Sequence, residues 1–132
     1  MEYVTRILSG YSHACKWCML HPDKVLDIMT KDINQALQTQ KRSLLREKLK
    51  VAVAISTSKE VKNNGFCYFN EKTTQDSLDN YGAALLDDPS KLESAKKLIT
   101  TEPLKNADLA TFSSDEWKQV TKFTGKWLDY YQ

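Results

Sequence analysis

Apolar residues recur at steps of three and four along most of this 132-residue chain, and this spacing restricts its possible folds more than any other feature. Such a step places apolar side chains along one side of an α-helix. Only 4 glycines and 3 prolines interrupt the chain, whereas a β-sandwich or barrel needs many tight turns. The sequence therefore predicts an all-α fold, a compact single-domain bundle of about six helices that spans residues 1–132.

The first predicted helix covers residues 3–20 and ends before Pro22, because a residue that precedes proline is driven out of the helical conformation. Its apolar residues are expected to form a buried stripe: Tyr3, Val4, Ile7, Leu8, Tyr11, Cys15, Cys18 and Met19. Pro22 suits the first turn of a second helix, which keeps the helical step to about Gln40.

A third predicted helix starts near Leu44, and residues 41–43 contain no strong helix breaker, so the second and third helices can also be one. Residues 50–56 alternate as a strand does, and 65–70 offer a hairpin partner, which makes an α+β fold the alternative. We prefer helix, because the apolar phase continues from Leu44. Asn and Gly at 63–65 then form a typical helix stop.

The second half of the chain is predicted to contain helices separated by short breaks. Residues 66–72 read as an extended connection, after which Thr73 or Thr74 caps a helix that ends at the Asp-Asp-Pro of 87–89. Residues 101–109 read as a shorter turn with a few apolar side chains.

Two capping boxes, a hydroxyl residue followed three positions later by Glu, predict further helix starts. Ser90 with Glu93 opens a short helix through Ile99, and Ser113 with Glu116 opens the last helix. The apolar residues of that last helix are expected to form a buried stripe: Trp117, Val120, Phe123, Thr124, Trp127 and Tyr131.

Charge is distributed unevenly along the chain. Residues 1–65 carry 11 Lys and Arg against 6 Asp and Glu, whereas residues 66–132 carry 8 against 11. The formal net charge of +2 alone does not imply a polyanionic partner. The first residues lack a signal-peptide pattern, no apolar run reaches the length of a membrane span, and the cysteine count is odd. We therefore expect reduced thiols and a cytoplasmic or nuclear protein without a membrane contact.

The densest cluster of reactive residues is the stretch from His13 through Cys15 and Cys18 to His21, which resembles a set of zinc ligands. Most zinc sites join two ligand pairs separated by a dozen or more residues, and this cluster does not. We expect no cofactor, with zinc as an alternative in which Cys67 can replace His13. The preferred interpretation places small buried thiols beside a corner between two helices.

Cys15 and Cys18 also match the C-x-x-C spacing of thiol redox proteins. They fall late in a predicted helix, where the helix dipole opposes a thiolate, and no strand precedes them. The chain contains no Gly-rich phosphate loop, nucleophile motif or H-E-x-x-H motif. We therefore expect no catalytic residues and no enzyme activity.

A basic stripe on the third helix, reinforced from the last helix, offers phosphate-binding side chains. The nucleic-acid-binding candidates are Lys41, Arg42, Arg46, Lys48, Lys50, Lys118, Lys122 and Lys126. Lysine stripes on helices are more commonly solvated faces, and no RNA-binding signature accompanies these residues.

Aromatic residues close the chain, and Trp127, Tyr130 and Tyr131 are candidates for a protein-binding surface. The leading functional hypothesis is a non-catalytic adaptor, inhibitor or regulatory protein that acts through protein–protein contacts, including a homodimer. Nucleic-acid or RNA binding through the basic stripe is the second hypothesis. A zinc-stabilised module at residues 13–21 is the third.

Overall fold

The chain forms helices where the apolar spacing predicts them, but the helices are interrupted at more positions than the spacing predicts. The computed structural model describes residues 2–85, 88–97 and 100–131. Within those ranges lie eight α-helices: α1 (Glu2–Leu20), α2 (Pro22–Ile28), α3 (Arg42–Ser56), α4 (Lys59–Asn64), α5 (Glu71–Leu85), α6 (Leu92–Lys96), α7 (Ser114–Thr124) and α8 (Lys126–Tyr131). Short 3₁₀ or π turns occupy Met29–Ile33, Gln35–Thr39, Pro89–Lys91 and Glu102–Leu104.

The predicted all-α bundle is confirmed, and the part of the chain described here contains no strand. The hairpin alternative at 50–56 and 65–70 is wrong, because residues 50–56 complete α3 and share its helical hydrogen bonds. The second and third helices are separate. Gln40 and Lys41 both adopt extended conformations, with ψ of 148° and 127°, which stops helical hydrogen bonding between them.

The second predicted helix is regular only as far as Ile28. A π turn follows over Met29–Ile33, and Asn34 then adopts an extended conformation with ψ of 92°. The Asn34 side chain accepts a hydrogen bond of 3.1 Å from the Ala36 backbone N–H, which starts a 3₁₀ turn. Asn competes with helical backbone hydrogen bonds in this way, so it ends the regular helix well before Gln40.

Two breaks that the sequence pattern did not predict account for the larger number of helices. Ser58 caps α4 through a 3.1 Å hydrogen bond from the Val61 N–H to its hydroxyl, which separates α4 from α3. Gly125 has a φ of 55° and separates α7 from α8. The predicted stop at Gly65 is confirmed, with a φ of 82°.

The start of α5 differs slightly from the prediction. It begins at Glu71, because the side-chain oxygen of Asn70 accepts a 3.1 Å hydrogen bond from the Thr73 N–H. Asn70 therefore satisfies a free N–H at the helix start, and neither Thr73 nor Thr74 is the cap.

The predicted capping box at Ser90 is wrong. Ser90 lies inside the 3₁₀ turn Pro89–Lys91, and its hydroxyl donates a 2.6 Å hydrogen bond to the Asp88 carboxylate, which lowers the pKa of Asp88. The short helix α6 ends at Lys96, and the predicted end at Ile99 lies outside the described residues.

The Ser113 capping box is confirmed. The Ser113 hydroxyl accepts from the Glu116 N–H at 3.3 Å, and the Glu116 carboxylate accepts from the Ser113 N–H at 2.8 Å. The helix behind it buries Val120 and Thr124, as predicted, whereas Tyr131 is exposed.

The core lies where α1, α3 and α7 meet, and its buried centre is Met19, Val53, Phe112 and Val120. Partly buried apolar side chains surround it: Leu20, Leu49, Val61, Phe66, Trp117 and Phe123. Helix α3 also packs on α2 and α8, so it joins the first half of the chain to the last two helices.

Helix α1 packs through hydroxyl residues. The buried Ser12 hydroxyl accepts a 2.9 Å hydrogen bond from the Ala110 N–H, and the Ser9 hydroxyl accepts one of the same length from the Asp108 N–H. The Thr5 hydroxyl donates to the Pro103 carbonyl at 3.1 Å. These three side chains lie at steps of four and three, so one polar face of α1 holds the backbone of residues 103–110.

Candidate functional site

The predicted buried stripe of α1 is wrong over most of its length. Tyr3, Ile7 and Tyr11 expose 77%, 54% and 61% of their surface, and Val4 and Cys18 are exposed as well. At 100° per residue, these side chains centre roughly 150° around the helix axis from the hydroxyl face that the fold buries. Only Met19, at the edge of the stripe, enters the core.

We call this surface the apolar α1 face, and it comprises Tyr3, Val4, Ile7, Tyr11, Ala14 and Cys18. Near its C-terminal end it joins a groove of about 330 Å³ between α1 and α3. The groove is lined mainly by small and apolar side chains: Tyr11, Ala14, Cys15, Cys18, Met19, Leu49, Ala52, Val53, Ser56 and Phe66. A second hollow of about 230 Å³ adjoins it, because Leu49 and Ala52 line both.

The cysteines lie along this groove or beside it. Burial is the largest cause that raises the pKa of Cys18 and of Cys67, and the nearby Cys15 raises both further. Tyr11 also has a raised pKa, chiefly through its hydrogen bond with Cys15. Cys18 and Cys67 therefore carry less thiolate at neutral pH than ordinary cysteines, which disfavours nucleophilic thiol chemistry at those two positions.

The structure separates the four residues of the predicted zinc cluster. His13 is exposed and its Nε2 lies 3.0 Å from an Asp108 carboxylate oxygen, whereas Cys15 and Cys18 line the apolar groove. The His21 ring lies against the Trp17 ring in a tilted arrangement, with a centroid distance of 4.9 Å and an interplanar angle of 48°. Among the residues that the structure describes, no three His, Cys, Asp or Glu side chains are grouped so as to hold a metal ion.

The basic stripe on α3 is largely engaged within the molecule. Arg42 lies 2.7 Å from the Asp27 carboxylate, and Arg46 lies 2.6 Å from Asp23, so both arginines hold α2 against α3. Lys50 pairs with Glu47 at 2.6 Å. Lys48 donates to the Gln40 side chain at 3.0 Å, and Lys41 is exposed at the N-terminal end of α3.

On the last helices, the predicted basic residues do not form one surface. Lys118 pairs with Asp115 at 3.1 Å, and Lys126 lies over the Trp127 ring at 5.2 Å. Lys122 instead faces the corner between α1 and α2, in a cleft that Arg46 also lines. Lys122 therefore lies beside Arg46 of α3, the helix that carries the predicted basic stripe.

The C-terminal aromatic residues are partly exposed. Tyr130 exposes 81% of its surface, and Tyr131 is exposed to a lesser degree. Trp127 is half-buried and donates its indole N–H to the Glu47 carboxylate at 3.1 Å. That hydrogen bond, after one from Lys50, lowers the pKa of Glu47. Trp127 therefore anchors α8 on α3, which leaves Tyr130 and Tyr131 as the accessible pair.

The apolar α1 face was missed because its spacing is that of an ordinary core helix. A second pattern was present on the same segment, since Thr5, Ser9 and Ser12 also recur at helical steps. The hydroxyl oxygens of such a face can accept hydrogen bonds from the backbone N–H groups of a neighbouring irregular segment. The presence of both an apolar stripe and a hydroxyl stripe on one helix is the sequence signal that the apolar face can be the exposed one.

Comparison with protein-family models, curated protein sequences and solved structures finds no match to this chain. No described helix combines the length and the apolar character needed to cross a membrane.

Proposed function

We propose that this protein is a non-catalytic interaction protein, and that the apolar α1 face is its working contact, made first with a second copy of the chain. The observation that carries this proposal is the exposure of Tyr3, Ile7 and Tyr11 on one side of a 19-residue helix. Contiguous apolar patches on a monomer are uncommon and usually mark an interaction surface.

The two halves of the apolar α1 face are complementary in shape. Bulky side chains occupy its N-terminal half, and small residues occupy its C-terminal half. In an antiparallel pair of α1 helices, Tyr3 of one copy lies opposite Cys18 of the other, Ile7 opposite Ala14, and Tyr11 opposite Gly10. Each large side chain then meets a small one, which favours close packing about a two-fold axis.

Gly10 supports this arrangement independently. It lies in the middle of α1 and is exposed, and a Cβ built there meets nothing within 4 Å among the described residues. Packing inside the chain therefore does not require a glycine, although glycine weakens a helix interior by about 1 kcal/mol relative to alanine. A second helix that approaches closely at this point accounts for the glycine, because the absence of a Cβ leaves room for the neighbouring backbone.

Sedimentation equilibrium of the full chain over a range of concentrations tests the proposal. The wild type is expected to approach twice the monomer mass, and Ile7→Glu is expected to remain monomeric because it places a charge on the buried seam. Ile33→Glu is the matched control, since Ile33 is 72% exposed and lies outside the face. A wild-type chain that stays monomeric throughout would contradict the proposal.

Cross-linking tests the antiparallel geometry. Tyr3→Cys introduces a thiol that should form an intermolecular disulfide with Cys18 of the second copy under a mild oxidant such as diamide. The same variant combined with Cys18→Ser is the control and should lose that cross-link. Association that survives Ile7→Glu but disappears in Tyr130→Glu would place the contact at the C-terminal aromatic residues and overturn the assignment to α1.

Nucleic-acid binding through the α3 stripe has no specific support. Arg42 and Arg46, its central residues, already form ion pairs with acidic residues of α2. Exposed ion pairs are weak, so they do not prevent phosphate binding, but they lower the positive potential of the stripe. Zinc binding at residues 13–21 likewise lacks a convergent ligand set among the described side chains.

A further inference from the structure

We propose that a cleft at the corner between α1 and α2 binds the phosphate group of a small phosphorylated organic molecule. We call it the basic cleft. It has a volume of about 460 Å³, within the range of small-molecule sites. Its lining includes the charged, polar and aromatic side chains of His21, Asp23, Lys24, Arg46, Lys122 and Phe123.

The charge balance of the basic cleft favours an anion. Lys24, Arg46 and Lys122 are cationic, whereas Asp23 is the single acidic residue in its lining. Among the described residues, neither Lys24 nor Lys122 has an ion-pair partner, so both ammonium groups are available to a ligand. The lysines come from α2 and α7 and the arginine from α3, so only tertiary packing brings them together.

Arg46 is held in place before any ligand arrives. Its Nη1 donates to Asp23 at 2.6 Å, and its guanidinium carbon lies 5.2 Å from the centroid of the Phe123 ring. One carboxylate contact uses only part of the five N–H donors of a guanidinium group. The remaining donors form a fork that matches phosphate oxygens, and fixing the side chain reduces the entropy lost on binding.

The charges around the basic cleft and its apolar lining favour a small ligand over a nucleic-acid strand. A strand needs cations repeated along a groove, but beside the cleft Arg42 pairs with Asp27, and Lys50 pairs with Glu47. Apolar groups of Leu20, Pro22 and Phe123 also line the cleft and can contact the organic part of a ligand. His21 supplies a further polar group at the same edge.

Isothermal titration with inorganic phosphate, pyrophosphate and ADP tests the site on the full chain. ADP is expected to bind saturably, and Lys24→Gln and Lys122→Gln are each expected to weaken it by about tenfold, the loss of one charge-assisted hydrogen bond. Lys118→Gln is the matched control, because Lys118 lies on the same helix as Lys122 but outside the cleft. It should leave the affinity unchanged.

Three outcomes would overturn this assignment: no saturable binding of ADP or pyrophosphate, equal losses in the Lys118 control, or tighter binding of a single-stranded oligonucleotide with affinity that rises with its length. Tighter binding of pyrophosphate than of ADP would retain the phosphate site and exclude a contact with the organic part. Ile7→Glu is expected to bind ADP as the wild type does, so the cleft and the apolar α1 face are tested separately.

Discussion

At the scale of single residues, glycine is required where the backbone of one segment approaches another. A Cβ built on Gly65 would lie 2.9 Å from the Leu109 backbone carbon, and Gly65 also has a positive φ of 82°. Gly125 has a positive φ of 55° as well, but a Cβ there meets nothing within 4 Å among the described residues. Substitution at Gly125 therefore tests backbone strain alone, whereas substitution at Gly65 tests strain together with a steric clash.

We expect Gly65→Ala to lower the free energy of unfolding by about 3 kcal/mol or more, because strain and a backbone clash add. Gly125→Ala is the matched control and should cost about 1–2 kcal/mol through strain alone. Urea denaturation followed by tryptophan fluorescence measures both. Equal losses in the two variants would show that residues 109–110 do not approach Gly65 this closely.

At the scale of elements, α1 shows that the more hydrophobic face of a helix is not always the one that the fold buries. The irregular segment over residues 103–112 has backbone groups that need hydrogen-bond partners. The hydroxyls of Thr5, Ser9 and Ser12 supply them. An unsatisfied buried N–H costs free energy comparable to a lost hydrogen bond, so this requirement rotates α1 and leaves its apolar face outside.

We expect Ser12→Ala to lower the free energy of unfolding by about 1–3 kcal/mol, because it leaves the buried Ala110 N–H without an acceptor. Ser9→Ala is the control. Its partner, the Asp108 N–H, belongs to an exposed residue and can bond to water, so the loss should be smaller. Urea denaturation gives the energies, and hydrogen exchange at Ala110 should accelerate in Ser12→Ala. Unchanged exchange would contradict this packing of α1.

At the scale of the whole molecule, an ion pair connects the first helix to the C-terminal helices. Lys16 of α1 lies 2.9 Å from the Glu116 carboxylate at the start of α7, and donates a 2.7 Å hydrogen bond to the Thr111 carbonyl. The hydrogen bond from Lys16, followed by the one from the Ser113 backbone, holds the pKa of Glu116 below its ordinary value. The same carboxylate thus closes the α7 cap and joins distant parts of the chain.

Acidification is expected to weaken this connection. A carboxyl group whose pKa is lowered by folding stabilises the folded state above its unfolded pKa of about 4.3, and that stabilisation is lost as the pH falls through the lower folded pKa. Glu116→Gln should therefore show a smaller fall in stability between pH 6 and pH 3, measured by thermal denaturation. Asp115→Asn, at a position whose side chain is 92% exposed, should behave as the wild type.

Sequence reasoning predicted most helices, because apolar spacing, the Ser113 cap and the Gly65 stop are local signals. It failed at Ser58 and Gly125, where a single hydroxyl residue and a single glycine interrupt otherwise continuous patterns. Two residues of the basic cleft, Arg46 and Lys122, are among the basic candidates that the sequence predicts. Lys24 is not among those candidates, and the cleft itself depends on how α2, α3 and α7 pack together.

Local sequence signals place most of the helices and assign residues to the faces of each helix, because these features depend on hydrogen bonds and side-chain spacing within a few residues. Packing between distant segments selects which face is buried and which charges meet. On α1 both faces have helical periodicity, and only the backbone of residues 103–112 selects the hydroxyl face. The apolar α1 face and the basic cleft are both consequences of packing between segments that lie far apart in the chain.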